Sequence, residues 1–176
     1  NIDVVIHCAA RSHILKELSE QPAEEFKQSN ELLTKYLIQA AIINKVKRFI
    51  YISSVSIHGN NTDKTPFIET NPPKPESLYA ASKLSGERWV KFYSDKIETV
   101  IIRPPLIIGP QPKGNLRRLI RAIALGAPLP LANLHNKRQY IGIRNLSLFI
   151  INCLESNAAV NKLFLVANNE TISTTS

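Results

Sequence analysis

Glycine is scarce in this chain: six residues in 176, none of them spaced as Gly-x-x-Gly-x-x-Gly. That excludes the glycine-rich turn in which backbone amides at a helix N-terminus cradle a phosphate. Cysteine is scarcer. Cys8 and Cys153 lie far apart, with no Cys-x-x-Cys pair and no histidine cluster beside them. This excludes a disulfide framework and predicts no metal site. Both are expected as buried, reduced thiols of a cytoplasmic protein. No apolar run approaches the length of a membrane span, and the opening "NIDVVIHCAARSH" lacks the layout of a secretory leader. Methionine is absent altogether.

Acidic residues are missing from one long stretch. Between Thr99 and Leu154 there is no Asp or Glu, while Arg103, Lys113, Arg117, Arg118, Arg121, Lys137, Arg138 and Arg144 all fall there. Those eight cations equal the net charge of +8. A region of one sign attracts an anionic ligand. The chain has no aromatic-rich strand, zinc-finger spacing or recognition helix to mark nucleic acid as that ligand. A small diphosphate-bearing molecule is the better candidate. For Arg117 and Arg121, four apart, a solvated helix face is an equal alternative.

What is present reads as alternating strands and helices. "DVVIHC" (3–8), "RFIYISS" (48–54) and "TVIIRP" (99–104) are short, β-branched apolar runs of the kind buried on both faces of a parallel sheet. Between them, 23–44 places Phe26, Leu33, Leu37, Ala40 and Ala41 at helical spacing, with Glu24 and Glu25 in the first turn. A second helix is predicted over 76–94, after a loop rich in Asn, Thr and Pro. Further on, a helix is expected at 115–125, a strand at 138–143, a helix at 145–156 and a strand at 162–168. The order predicts an α/β fold in which helices cover both faces of a parallel sheet. Ligands of such sheets bind beyond the carboxyl ends of the strands. "HCAA", "SSVS" and "RPPL" stand at those ends.

The second helix carries Tyr79 and Lys83, four residues apart and therefore on one face. Phenol has a pKa of about 10 and is a poor base at neutral pH. A neighbouring ammonium stabilises the phenolate and lowers that value. A tyrosinate so tuned takes a proton from an alcohol as hydride leaves, or returns one to a ketone. Ser53, Ser54 or Ser56 offers a second hydroxyl for the same oxygen. No side chain accepts hydride, so a nicotinamide is implied.

These residues together resemble the extended short-chain dehydrogenase/reductase superfamily, in its NAD-dependent epimerase/dehydratase group acting on nucleotide sugars. "DVVIHCAARSH" is similar to that family's fourth strand and nicotinamide-side loop. Asn30 and Thr34 resemble its Asn-x-x-Gly-Thr helix, with Leu33 in place of the glycine. "RFIYISSVSIHG" resembles the strand bearing the catalytic Ser/Thr, "YAASK" the Tyr-x-x-x-Lys pair, and "IIRPPLIIGPQPKGN" the Arg-Pro segment. The resemblance implies a Rossmann-like doubly wound sheet over 1–176, with part of the substrate-binding region at about 111–145 and 162–176. It implies Tyr79 as general acid/base, Lys83 as its tuner and ribose ligand, and Ser54 as the contact to the reacting hydroxyl. Cys8, Ala9, Ala10, Asn30, Tyr79, Lys83 and Pro105 would line the cofactor, NAD with NADP left open. Ser54, Tyr79, Asn115 and Arg138 would meet the nucleotide-sugar substrate. A homodimer through the helices at 23–44 and 76–94 is implied as well.

The departures matter. Dehydratases of this group follow the catalytic residue with Asp-Glu, and Val55 and Ser56 stand there instead. Leu106 replaces the Asn of the Arg-Pro segment, and His58 and Ile108 replace two usual tyrosines. The pattern most resembles UDP-glucose 4-epimerase-like members, with a 4-keto reductase of a UDP-sugar, of the kind found in surface-polysaccharide biosynthesis, as the alternative. The family begins with three further strands and a glycine-rich turn, and it continues beyond the last residue here. The 176 residues are therefore expected to be the middle of a longer enzyme, with strand 3–8 at a sheet edge. The isolated chain is expected to bind NAD very weakly and to show no turnover. Retention of NAD through purification, read by absorbance after denaturation, would contradict this.

Overall fold

The computed structural model describes residues 2–12, 18–62, 65–112, 114–127 and 138–172. Four strands form its main sheet: β1 (Val4–His7), β2 (Arg48–Ile52), β3 (Glu98–Arg103) and β6 (Lys162–Leu165). They lie in the order β1-β2-β3-β6, every pair parallel. The registers Ile6↔Ile50 and Ile50↔Val100 carry one row of side chains across the sheet. β1 is the edge of this sheet, as expected, and its Ile6 is exposed.

Side-chain alternation along the strands sorts the core into two layers. Phe49, Tyr51 and Ile101 point to one face and pack on Ile38, Ala41 and Val90. These come from α2 (Leu33–Ile43) and α3 (Leu78–Phe92). Ile50, Val100 and Ile102 point to the other face and pack on Leu146 and Cys153 of α5 (Ile143–Glu155). A parallel sheet covered on both faces in this way is Rossmann-like.

The predicted first helix is interrupted. α1 (Pro22–Phe26) passes into a π-helical stretch, Lys27–Leu32, before α2 begins. The wide turn buries Asn30 and, four residues on, Thr34. Apolar periodicity carried no sign of it, because the residues responsible are polar. A smaller sheet was also unanticipated in part. β4 (Leu106–Ile108) runs parallel to β5 (Arg138–Gly142), which pairs antiparallel with β7 (Thr171–Ile172). α4 (Gly114–Ala124) lies between β4 and β5 in the chain. The strand predicted at 48–54 ends at Ile52, where a single 3-10 turn, Val55–His58, takes over with Ser54 as its cap.

Two buried arginines tie the layers together. Arg48 bonds Glu98 through Nε and Nη2, at 2.8 and 2.7 Å. Its Nη1 donates to the carbonyls of Cys153, Leu154 and Ser156 at the C-terminal end of α5, where a cation complements the helix dipole. Arg103 clamps Glu87 of α3, with Nε to Oε1 at 2.8 Å and Nη2 to Oε2 at 2.6 Å. Both side chains are buried. Removing one partner of such a pair costs about 3–5 kcal/mol, because the other charge stays buried alone.

α3 approaches the π segment closely at Gly86. A Cβ there would meet the Tyr51 phenol and come within 3.1 Å of the Asn30 carbonyl. Tyr51 is fully buried and has little room to yield. Gly86→Ala is expected to destabilise the protein by about 1–3 kcal/mol, the usual cost of overpacking. Urea denaturation measures it, and an unchanged midpoint would refute the close approach.

Candidate active site

The carboxyl ends of β1, β2 and β3 meet at one edge of the main sheet. Cys8, Ala9 and Ala10 leave β1 there, Ser53 and Ser54 leave β2, and Pro104 and Pro105 leave β3. The loop after β1 is held by Asn30. Its Oδ1 accepts from the Arg11 amide at 2.7 Å, and its Nδ2 donates to the Arg11 carbonyl at 3.1 Å. The same Nδ2 donates to Ser82 Oγ at 2.9 Å, and Ser82 donates to the Tyr79 carbonyl at 2.8 Å. One buried amide therefore joins the β1 loop to the first turn of α3.

α3 begins where Ser77 Oγ accepts from the Ala80 amide, an N-cap that sets the helix phase. That phase puts Tyr79 half-buried at the cleft and Lys83 fully inside it. The Lys83 ammonium lies 4.2 Å from the Tyr51 ring centroid, a cation–π contact that repays part of its desolvation. Burial pushes its pKa down to about 8, with Glu87 and Cys8 opposing.

Ser54 is the serine whose side chain meets the Tyr79 phenol. Burial pushes the phenol's pKa up, and the hydrogen bond to Ser54 pulls it back. Ser54 Oγ also lies 2.9 Å from Ser56 Oγ and accepts from the Ser56 amide. Ser53 is buried beneath them. The expected lowering of the Tyr79 pKa by Lys83 is not what this arrangement does. The ammonium acts on His7 and Cys8 and sits on Tyr51, and desolvation governs the phenol. Cys8 corrects a second expectation: it is exposed, because it lies just past the end of β1, while Cys153 is buried as foreseen.

Pro105 lines a cavity of about 250 Å³ with Val55, Arg103, Gln139 and the residues that follow β6. Arg138, next to Gln139, is exposed at the start of β5. A larger open cavity of about 560 Å³, between α5 and the segment after β6, contains none of the expected site residues. Asn115 lies on α4, and its side chain is outside the described structure, as are 128–137 and 173–176 of the expected substrate region. The cationic stretch is less free than its sequence implied. Arg103 is spent on Glu87, while Arg117, Arg118, Arg121, Arg138 and Arg144 are exposed. Lys113 and Lys137 lie outside the described residues.

Two histidines escaped the sequence reading of the site. His7 is buried, its ring 5.4 Å from that of Tyr51. Thr34 spends its proton on the Asn30 carbonyl at 2.6 Å. Its contact with His7 Nε2 at 2.9 Å therefore has the imidazole donating. His58, also buried, is 2.7 Å from Arg103. A polar residue inside an apolar run, and Glu87 four residues beyond Lys83, were the available signals.

Residues 1–167 match the model of the NAD dependent epimerase/dehydratase family. A UDP-glucose 4-epimerase of Vibrio cholerae is 36% identical over 99% of this chain and 54% of its own length. A human dTDP-D-glucose 4,6-dehydratase is 38% identical over 62% of this chain and 31% of its own. The solved structure of UDP-glucuronic acid 4-epimerase from Bacillus cereus in complex with NAD superposes with a TM-score of 0.86. It is 26% identical, covering 98% of this chain and 56% of that one. The chain thus spans about half the length of these proteins or less.

His7 makes the fold sensitive to acid. Burial, then the Lys83 charge, pushes its pKa from the ordinary 6.5 down to about 4. The unfolded chain binds a proton between those values and the folded one does not, so stability rises with pH across that window. Denaturant titrations are expected to show a loss of roughly 2–3 kcal/mol between pH 7 and 4 from this group. A histidine resonance for residue 7 titrating near its ordinary value would rule this out.

Proposed function

The chain belongs to the NAD dependent epimerase/dehydratase family, and we propose that it is the catalytic portion of a nucleotide-sugar 4-epimerase of the UDP-hexose class. The observation that carries the reading is the meeting of the Ser54 hydroxyl and the Tyr79 phenol at the carboxyl end of a parallel sheet, with Lys83 one helical turn behind. Two hydroxyls converging from separate elements suit one substrate oxygen. Val55 and Ser56 occupy the two positions after Ser54, and neither is a carboxylic acid, which favours epimerisation over dehydration.

The residues fit NAD. Cys8, Ala9 and Ala10 are small and largely uncovered, so a flat ligand can lie against their backbone, and Asn30 keeps that loop in place. Lys83 makes no ion pair with a described residue and faces the same edge, where its ammonium can donate to ribose hydroxyls. Tyr79 at the start of α3 and Pro105 after β3 complete the set of residues assigned to the cofactor. When bound, NAD supplies the hydride acceptor and then the donor.

Ser54 holds the sugar hydroxyl against Tyr79. The phenol is protonated at neutral pH, the form that donates to the oxygen of a 4-keto sugar. To take the alcohol's proton its pKa must fall. Ser54 is the group that works in that direction, pulling the phenol's pKa down against burial. Arg138 and Asn115 bind the nucleotide diphosphate, Arg138 with a planar fork of donors. The domain is read as residues 1–176, with 111–145 and 162–176 on the substrate side. Exposed Tyr36 and Ile43 on α2, and Leu78 and Phe92 on α3, support a homodimer through the helices at 23–44 and 76–94. Among the described residues no helix is long and apolar enough to cross a membrane, and we assign the enzyme to the cytoplasm.

The whole protein is expected to convert UDP-glucose or UDP-N-acetylglucosamine to its 4-epimer without added reductant, followed by chromatography of the products. A strict demand for NAD(P)H would identify a 4-keto reductase instead. Tyr79→Phe is expected to lower kcat about 10²–10⁴-fold, the range for losing a general acid/base. A variant within a few-fold of wild type would overturn the role given to Tyr79.

A further inference from the structure

The Arg103 guanidinium has a second partner besides Glu87. Its Nη1 is 2.7 Å from His58 Nε2, in a buried contact. A guanidinium has no acceptor, so the imidazole must accept. That places the His58 proton on Nδ1 and keeps the ring neutral. His58 closes the 3-10 turn Val55–His58, and Ser54 caps the same turn. Glu87 is one turn beyond Lys83 on α3. Arg103 is thus held at one side by the turn that presents Ser54 and at the other by the helix that presents Tyr79 and Lys83.

We infer that His58 is a positioning residue for proton transfer: as a neutral acceptor for Arg103, it fixes the Ser54 turn against the Tyr79 helix. The inference rests on the epimerase reading for its catalytic consequence, while the His58–Arg103 bond stands independently of it. Ser54 and Tyr79 lie on different elements, and their hydroxyls must share one substrate oxygen. A displacement of about 1 Å between such groups can cost about 100-fold in rate. His58, Arg103 and Glu87 form a continuous side-chain link between those two elements.

The link depends on one lone pair. Protonation of His58 would remove the acceptor and set two cations 2.7 Å apart. The charged groups that face the ring are Arg103 of β3, Glu87 of α3, and Glu69 of the loop before α3. Phe67 stacks on it, with ring centroids 5.1 Å apart. Burial, then Arg103, pushes the imidazole pKa below its ordinary value, and Glu87 and Glu69 oppose that. The neutral ring therefore dominates at pH 7, and protonation on acidification releases the turn.

The test uses the whole protein, with kcat and KM measured from acid to mildly alkaline pH for wild type, His58→Gln and His58→Leu. Gln offers an acceptor that does not titrate, and Leu offers none. Wild type is expected to lose kcat on the acid side, and His58→Gln to lack that limb while staying within about 3-fold of wild type at pH 8. His58→Leu is expected to fall about 10-fold or more in kcat at every pH, with KM changed far less. An acid limb that persists in His58→Gln, or full kcat in His58→Leu, overturns the inference. Long-range ¹⁵N–¹H imidazole spectra give a readout that needs no turnover. Residue 58 is expected to carry its proton on Nδ1 at pH 7, opposite to His7. The reverse tautomer at residue 58 refutes the inference, whereas a wild-type protein without epimerase activity but with the expected tautomer refutes only the functional reading.

Discussion

A buried guanidinium must find a partner for its charge and acceptors for its fork of N–H groups, because water cannot serve them. In this protein Arg103 finds both in Glu87 and a further acceptor in His58. Those partners come from the two elements that carry the reactive hydroxyls, and Arg103 itself precedes Pro105. Two strand ends and one helix are therefore referenced to a single planar group. The Coulomb attraction of such a pair is largely offset by desolvation. Its value lies in geometry, since a bidentate pair tolerates little rotation or slip.

Asn30 plays the corresponding part on the cofactor side. Its amide bonds the backbone of the β1 loop on one side and Ser82 of α3 on the other. The π turn that carries it is the local departure from α geometry that turns the amide inward, and π turns of this kind recur at functional sites. The close approach at Gly86 leaves this turn no room to relax. Together Arg103 and Asn30 make α3 a rigid beam supported at both ends of its functional face. Between those supports sits Lys83, whose charge rests on an aromatic ring.

The elements of the main sheet were legible because each central strand is buried on both faces and so is written as a run of β-branched and aromatic residues. "RFIYI" and "TVIIR" could not be solvated on either side. The Tyr79–Lys83 spacing was legible because helical periodicity alone puts residues four apart on one face. The π turn was not, since Asn30 and Thr34 are polar and add nothing to the apolar period, so 23–44 read as one continuous helix. β7 was not, because two residues carry no period. Val55–His58 was read as strand and loop, since nothing local to Ser54 records that His58 will be drawn inward by an arginine 45 positions away in the chain.

The chain's own order of residues determined the parallel sheet, the helix phase that pairs Tyr79 with Lys83, and the strand ends where a ligand can sit. These follow from hydrophobic period and local backbone preference, which act over a few residues. Tertiary structure alone decided the charges. It buried Arg103 on a carboxylate instead of leaving it for an anion, exposed Cys8, and left the Tyr79 phenol raised by desolvation with Lys83 turned toward Tyr51. Protonation and pairing depend on distance and dielectric between groups far apart in sequence, and only the folded chain sets those.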